Sequence, residues 1–221
     1  MPNWVRNRLT IDGVQEEINA FLDAVKGENG VIDFDKIIPM PPTLGVENST
    51  MSSIAYDIIT NQASQKSINK FNKLSEEERE KYLKIGETMK FNMETYGYRD
   101  WYYWSIGNWG TKWNACHCEL YDNVIEFDTA WSAPYPIYGK LAELFPNLII
   151  SFEYADEDCG YNVGRGSMEH GEISYCILDD GSKEAFEQYM DLHNNWEDWI
   201  WNEERQEYVW KEEDDEDCED Y

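Results

Sequence analysis

The chain has 221 residues, of which 45 are acidic and 18 are basic, so its formal net charge at pH 7 is −27. Such a charge argues against direct binding to a nucleic-acid backbone or to an anionic membrane. Aromatic residues make up 15% of the chain, a share too high for a disordered acidic polypeptide. The composition is typical of a folded protein that binds cations, basic protein surfaces, or nothing electrostatic at all.

The cysteine content and the hydropathy of the chain indicate its cellular compartment. The five cysteines lack the spacing of a disulfide framework, and the N-terminal sequence has no apolar signal segment. No apolar run approaches the length of a membrane span. We therefore expect a protein of the bacterial cytoplasm with no membrane partner; the sequence does not specify an oligomeric state.

The chain begins with a predicted strand and helix. Residues 3–11 alternate between two faces and predict a strand, with Trp4, Arg6, Arg8 and Thr10 on one face and Val5, Asn7, Leu9 and Ile11 on the other. Asp12 with Gln15 three residues later is a capping-box signature. An apolar stripe at helical spacing follows and ends at Gly27, which predicts a helix over residues 14–26.

Residues 48–97 are polar and helix-forming, which predicts an inserted pair of helices at 53–74 and 76–96. Ser75 and Glu78 form a second capping-box signature at the start of the later helix. Four residues of that helix recur at helical spacing, and we expect them to pack on the core: Tyr82, Ile85, Met89 and Met93.

A β-hairpin is the next predicted element. Residues 113–121 alternate, Asp122 and Asn123 supply a turn, and residues 123–131 run back. In the first of these strands, strict alternation would place Cys116 and Cys118 on one face and His117 on the other.

Residues 136–145 then predict a helix between two prolines, and residues 148–155 predict a strand. With the insertion set aside, the order of elements is βαββαβ. This order predicts an α+β fold, a ferredoxin-like sandwich in which two helices cover one face of an antiparallel sheet. We assign this domain to residues 1–165.

The remaining residues predict a C-terminal α/β extension, 166–211, that packs on the same domain. From residue 156 onward we expect strands at 159–163 and 173–178, a helix at 182–192, and a hairpin formed by residues 199–201 and 208–210. Residues 212–221 contain eight acids and no base, which predicts a disordered acidic tail.

Four motifs in a fixed order carry a resemblance to a known family: MPNW-x-x-N-R-L-T-I-x-G at the start, F-x-K-I-I-P-M-P at 34–41, W-G-T-K-W-N-A at 109–115 and F-D-T-A-W-S-x-P at 127–134. Over about residues 1–165 the chain resembles the YubB ferredoxin-like family of conjugative plasmids and bacteriophages. The resemblance implies a ferredoxin-like domain and a mobile-element origin. It implies no activity, because the family has no known function, and no iron–sulfur cluster. The family's usual cysteine after MPNW is Val5 here.

Cys116, His117 and Cys118 are the candidate metal ligands. A structural zinc site needs four converging ligands, and the usual Cys-x-x-Cys pairs are absent from the sequence. Buried free cysteines are the more common alternative. We expect no cofactor and no stoichiometric zinc or iron, and none of the three histidines lies in a hydrolase motif that would indicate a catalytic residue.

The tryptophan-rich region is the candidate binding surface. Large rings are usually core residues, but tryptophan beside polar side chains also builds interaction hot spots and pockets. The candidate binding residues are Arg99, Trp101, Trp104, Asn108, Trp109, Lys112, Trp113, Asn114, Asp128 and Trp131.

The functional hypothesis is a non-enzymatic binding protein of a phage or plasmid. It would inhibit a host or defence protein that has a basic surface, as an acidic mimic of nucleic acid. One alternative is an enzyme of unknown reaction with a pocket between the hairpin and the C-terminal region. Another is an acidic surface that only solubilises the protein.

Overall fold

The computed structural model describes residues 3–28, 30–205 and 207–211. Within them the strands are β1 (Trp4–Asp12), β2 (Cys116–Tyr121), β3 (Val124–Ala130), β4 (Ile149–Asp156), β5 (Val163–Glu169), β6 (Glu172–Ile177), β7 (Trp199–Asn202) and β8 (Glu207–Trp210). The helices are α1 (Gln15–Val25), α2 (Phe34–Ile37), α3 (Thr50–Ile59), α4 (Gln65–Phe71), α5 (Glu76–Tyr96), α6 (Trp101–Asn108), α7 (Tyr135–Leu144) and α8 (Lys183–His193). No helix in these ranges is long and apolar enough to cross a bilayer.

Six strands form one sheet in the order β2-β3-β1-β4-β5-β6, and β7 pairs with β8 separately. Strand β1 is central: it pairs antiparallel with β3 and with β4, so that Val5 faces Thr129 on one side and Asp156 on the other. The predicted antiparallel ferredoxin-like arrangement and the C-terminal hairpin are confirmed.

One face of the sheet holds the main core. Alternation along β1 buries Val5 and Leu9 against Phe21 of α1 and Leu141 of α7, within one apolar cluster. Removing side chains of this size from water contributes roughly 1.5–3 kcal/mol each. The two helices therefore cover a single face, as predicted.

The start of α1 differs from its prediction. Its N-cap is Val14, and no side chain caps the helix. Asp12 instead pairs with Ile149 as the last residue of β1. The capping-box prediction at Asp12 and Gln15 was wrong because the strand extends one residue into that signature.

Three inserted helices precede α6, whereas two were predicted. The helix predicted at 53–74 is broken: α3 ends at Ile59, and the Ser64 side chain caps a new helix by accepting a bond from the Ser67 backbone N–H. Helix α5 has the predicted bounds, and the Ser75–Glu78 capping box is present.

The buried face of α5 differs from the predicted stripe. Gly86, Met89 and Asn92 are buried, whereas Met93 is 40% exposed. Gly86 lies directly against the α3 backbone at Ala55. That close approach turns the glycine side of α5 inward, so Met89 is buried as predicted, whereas Met93 is not.

The C-terminal region completes the sheet and covers part of its second face. The predicted strand at 159–163 was wrong, since Gly160 and Asn162 have positive φ angles and form a turn before β5. Helix α8 packs on β4 and β5 through a second apolar cluster that includes Ala155, Val163 and Met190. The predicted acidic tail, 212–221, lies outside the described residues.

Candidate functional site

A cavity of about 740 Å³ lies on the second face of the sheet, between the β2–β3 hairpin, β1 and the end of α8. We call it the acidic cavity. Five carboxylates and two guanidinium groups line it, so its net charge is −3 when His193 is neutral. The lining residues are Trp4, Arg6, Arg8, Glu119, Tyr121, Glu126, Asp128, Glu157, Asp191, Leu192, His193 and Asn194.

Strand pairing brings the charged side chains together. Arg6 and Arg8 alternate with the buried residues of β1, so they point to the second face. The β1–β3 register places Arg6 opposite Asp128 and Arg8 opposite Glu126. Opposite charges directly across an antiparallel pair attract each other, and the two strands form a ladder of ion pairs.

Glu126 is the centre of this ladder. Its two carboxylate oxygens accept bonds from Arg6 Nη2 at 2.6 Å and from Arg8 Nε at 2.7 Å. Burial alone would raise the pKa of Glu126, but bonds from Tyr121, Arg8 and Arg6 outweigh it and hold the pKa below its usual value. Glu126 is therefore ionised at neutral pH and holds both arginines.

Both arginines have further carboxylate partners. Arg8 Nη1 lies 2.6 Å from Asp191 Oδ2 of α8, and Arg6 Nη1 lies 3.4 Å from Asp128 Oδ1. Since both guanidinium groups are already in ion pairs, an incoming ligand would meet the surplus carboxylates of the cavity rather than free positive charge.

A β-bulge in β2 aims His117 at the cavity wall. The β2–β3 register shifts between Cys116 and Glu119, and His117 has a φ of 48°. Its Nδ1 lies 2.8 Å from Asp128 Oδ2, and its ring centroid lies 5.7 Å from that of Trp4. Bulges re-aim side chains in this way.

The same bulge separates the two cysteines of this strand. Cys116 lies opposite Asp128, whereas Cys118 packs against the main core near Ile32. The prediction that both sulfurs share a face was wrong, because strict alternation fails at a bulge. Burial raises the pKa of both thiols. In the described ranges, no three His, Cys, Asp or Glu side chains group closely enough to hold a metal ion.

His193 at the end of α8 forms part of the opposite wall. Its Nε2 lies 3.4 Å from the carbonyl oxygen of Ala155, and its ring stacks on Tyr189 at 4.4 Å between centroids. Burial lowers the pKa of His193, so the imidazole is neutral at pH 7.

Several predicted binding residues make contacts within the fold. Trp104 and Trp109 are buried in the main core, and Trp109 Nε1 donates to the Ile38 carbonyl at 2.9 Å. The Asn108 amide donates to the Trp104 carbonyl of its own helix. Asn114 accepts a bond from the Phe34 backbone N–H at 2.8 Å and so fixes the start of α2.

The other predicted residues do not converge on a single site. Arg99 pairs with Asp100 and lies over the ring of Tyr103, away from the cavity. Trp101 packs edge-on against Tyr102 in α6. Asp128 lines the acidic cavity, and Trp113 is 5.8 Å from Trp4 at its rim. The ammonium of Lys112 lies over the Trp113 and Trp131 rings.

Sequence reasoning missed Arg6, Arg8, Glu126, Asp191 and His193. A signal for the arginines was present: two charges alternate along a strand with the apolar residues Val5, Leu9 and Ile11, which indicates a polar second face.

Residues 108–216 match the family model described as "Ferredoxin-like domain in Api92-like protein". This range is therefore similar to the ferredoxin-like domain of Api92-like proteins. The domain has no known function. The match extends past residue 165, where the motif resemblance ended. The matched range therefore includes the β2–β3 hairpin and α8, which form two walls of the acidic cavity. Arg6 and Arg8 lie outside the matched range.

One solved structure is similar to the chain: a protein api92 from Yersinia pseudotuberculosis, with 12% sequence identity and a TM-score of 0.46. The similarity covers 82% of this chain and 99% of that one. No curated protein matches the chain.

Proposed function

We propose that the protein is a non-enzymatic binding protein whose acidic cavity engages a basic surface of a host or defence protein. The surplus of carboxylates over guanidinium groups in the cavity carries this proposal. Glu119 and Asp191, with side chains 66% and 57% exposed, are open to a partner. Glu157 is also exposed.

The partner's basic surface would be one that otherwise binds nucleic acid. Carboxylates at the rim of a cavity can occupy such a groove in place of phosphates, and complementary charge raises the rate and specificity of association. The protein would then act as an inhibitor, while its net charge of −27 keeps it from binding nucleic acid itself.

We place this action in the cytoplasm of a bacterial host, and we propose a phage or plasmid origin. The four ordered motifs that resemble proteins of mobile elements support both statements. A protein encoded by a mobile element meets host nucleic-acid-binding and defence proteins in that compartment.

The test begins with affinity capture of a partner from host lysate at low and high salt. The dissociation constant of the purified complex is then measured for wild type and for the double variant Glu119→Gln, Glu157→Gln. We expect the variant to bind about tenfold more weakly, equivalent to about 1.4 kcal/mol. Added salt should weaken the wild-type complex, because the Debye length falls from about 10 Å at 0.1 M to about 3 Å at 1 M.

The matched control is Glu77→Gln, Glu87→Gln, which removes the same charge from exposed positions of α5. It should bind as wild type does, and an oligonucleotide should compete with the protein for the partner. Equal weakening by both variants would show that only overall charge matters. Affinity unaffected by salt and by both variants would contradict the proposal.

A second candidate is an enzyme that uses the same cavity. The observation in its favour is His117 Nδ1 at 2.8 Å from Asp128 Oδ2, since a carboxylate-oriented histidine is a common general base. The raised pKa of the neighbouring Cys116 makes that thiol a poor nucleophile. Host metabolites incubated with wild type and with His117→Gln, then compared by mass spectrometry, would reveal a compound that only wild type consumes.

A further inference from the structure

Three aromatic rings surround the ammonium of Lys112. Its Nζ lies 4.2 Å from the ring centroid of Trp113, 5.0 Å from that of Trp131 and 5.9 Å from that of Tyr102. All three distances are within the range of about 6 Å over which an aromatic face attracts a cation. We call these three rings the aromatic cage.

Separate elements build the cage and fix its backbone. Tyr102 belongs to α6, Lys112 and Trp113 to the following loop, and Trp131 to the residue after β3. Ser105 Oγ donates to the Lys112 carbonyl at 2.9 Å, which ties the loop to α6. Thr111 Oγ1 donates to the Ala130 carbonyl at 2.8 Å, which ties the loop to β3. The backbone positions that carry the rings therefore do not depend on the lysine side chain.

Lys112 is bound by rings rather than by acids. Within the described ranges no carboxylate forms an ion pair with it, although Lys81, for example, lies 2.8 Å from Glu47. Because its stem is flexible and no ion pair holds its ammonium, Lys112 can leave the cage at low cost.

We propose that Tyr102, Trp113 and Trp131 form a binding site for alkylammonium groups, which Lys112 fills in the unbound protein and a lysine side chain of the partner fills in the complex. Trp113 lies 5.8 Å from Trp4, which lines the acidic cavity. A basic surface could thus place one lysine in the cage and neighbouring cations against the carboxylates. That the occupant is a lysine of the partner rests on the proposed function. That the cage binds alkylammonium groups does not rest on it.

The test opens the cage with Lys112→Ala, which keeps the backbone bond from Ser105. Tetramethylammonium chloride is titrated at constant ionic strength, and the indole N–H signals of Trp113 and Trp131 are followed by NMR. We expect saturable shifts in the variant and binding about tenfold weaker in wild type, where Lys112 competes. Nα-acetyl-lysine methylamide should shift the same two signals.

Two controls define the site. In the double variant Lys112→Ala, Trp131→Ala, tetramethylammonium binding should be lost. Because Trp131 is 43% exposed, its removal does not open the core. Lys183→Ala removes a lysine whose Nζ lies 4.4 Å from the single ring of Trp201. That variant should show no saturable shift at Trp201, because one ring is not a cage.

Absence of saturable shifts in Lys112→Ala, with the rest of its spectrum unchanged, would overturn the proposal. Shifts that persist without Trp131 would overturn it as well. If tetramethylammonium binds but Trp131→Ala leaves partner affinity unchanged, the partner's lysine is excluded as occupant. Failure of the Glu119 and Glu157 test would remove the proposed function without affecting the titration.

Discussion

Arg8 in β1 and Asp191 in α8 meet at 2.6 Å between Nη1 and Oδ2, although 183 residues separate them in the chain. The contact joins α8 to the central strand on the second face of the sheet. Asp191 is 57% exposed, so the pair contributes little to stability. Its consequence is geometric, because it fixes one wall of the acidic cavity relative to the other.

Glu126 should matter more to stability than Asp191. Its side chain is 8% exposed and holds both arginines, and charged hydrogen bonds of this kind contribute about 1.5–3 kcal/mol. We expect Glu126→Gln to lower the free energy of unfolding by about 2 kcal/mol, and Asp191→Asn by less than about 1 kcal/mol. Urea denaturation measures both, and equal losses would contradict the central role of Glu126.

Two helix glycines should respond oppositely to alanine. A Cβ at Gly86 would lie 2.9 Å from the Ala55 carbonyl carbon, whereas a Cβ at Gly139 in α7 would meet nothing within 4 Å. We expect Gly86→Ala to destabilise the protein by about 1–3 kcal/mol through overpacking. Gly139→Ala should stabilise it by roughly 0.5–1 kcal/mol through helix propensity. A stabilising Gly86→Ala, measured by thermal unfolding, would disprove the close α3–α5 contact.

His193 should make stability depend on pH. Burial lowers its pKa below the ordinary 6.5, so the unfolded chain takes up the proton at a higher pH than the folded one. The contribution of His193 to the free energy of unfolding is therefore complete above pH 6.5. It is lost as the pH falls towards the lowered pKa of the folded state. Between pH 7 and 5.5 we expect Tm to fall less in His193→Gln than in wild type.

The control variant for that experiment is His170→Asn. His170 lies at an exposed position between β5 and β6, where its φ is 52°. Asparagine tolerates such a φ. A Tm profile of His193→Gln that is parallel to wild type would show that the burial of His193 does not affect the pH dependence.

Two C-terminal truncations should differ. Deletion of residues 212–221 removes eight acids and no base, and we expect an almost unchanged Tm, since such a block buries little apolar surface. Deletion of residues 196–221 also removes Trp199 and Tyr208, whose rings lie 5.8 and 5.9 Å from Phe186. Loss of these aromatic contacts should lower Tm by about 5 °C or more. Calorimetry showing equal Tm values for both truncations would mean that β7 and β8 do not stabilise the domain.

Local patterns in the sequence determined the elements of the fold. Alternation along β1, the turn at Asp122 and the capping box at Ser75 each depend on residues a few positions apart, and each was predicted correctly. The βαββαβ order then restricted the sheet to the ferredoxin-like arrangement. Where two local signals competed, as at Asp12, strand pairing with Ile149 prevailed over the cap.

Tertiary structure alone decided the site. The bulge at His117 depends on the register of β2 against β3, and the acidic cavity depends on where α8 packs over the sheet. Arg8 and Asp191 show the reason: partners 183 residues apart leave no periodic trace in either segment. The sequence supplied the charges and the rings, but only long-range pairing determined which of them face each other.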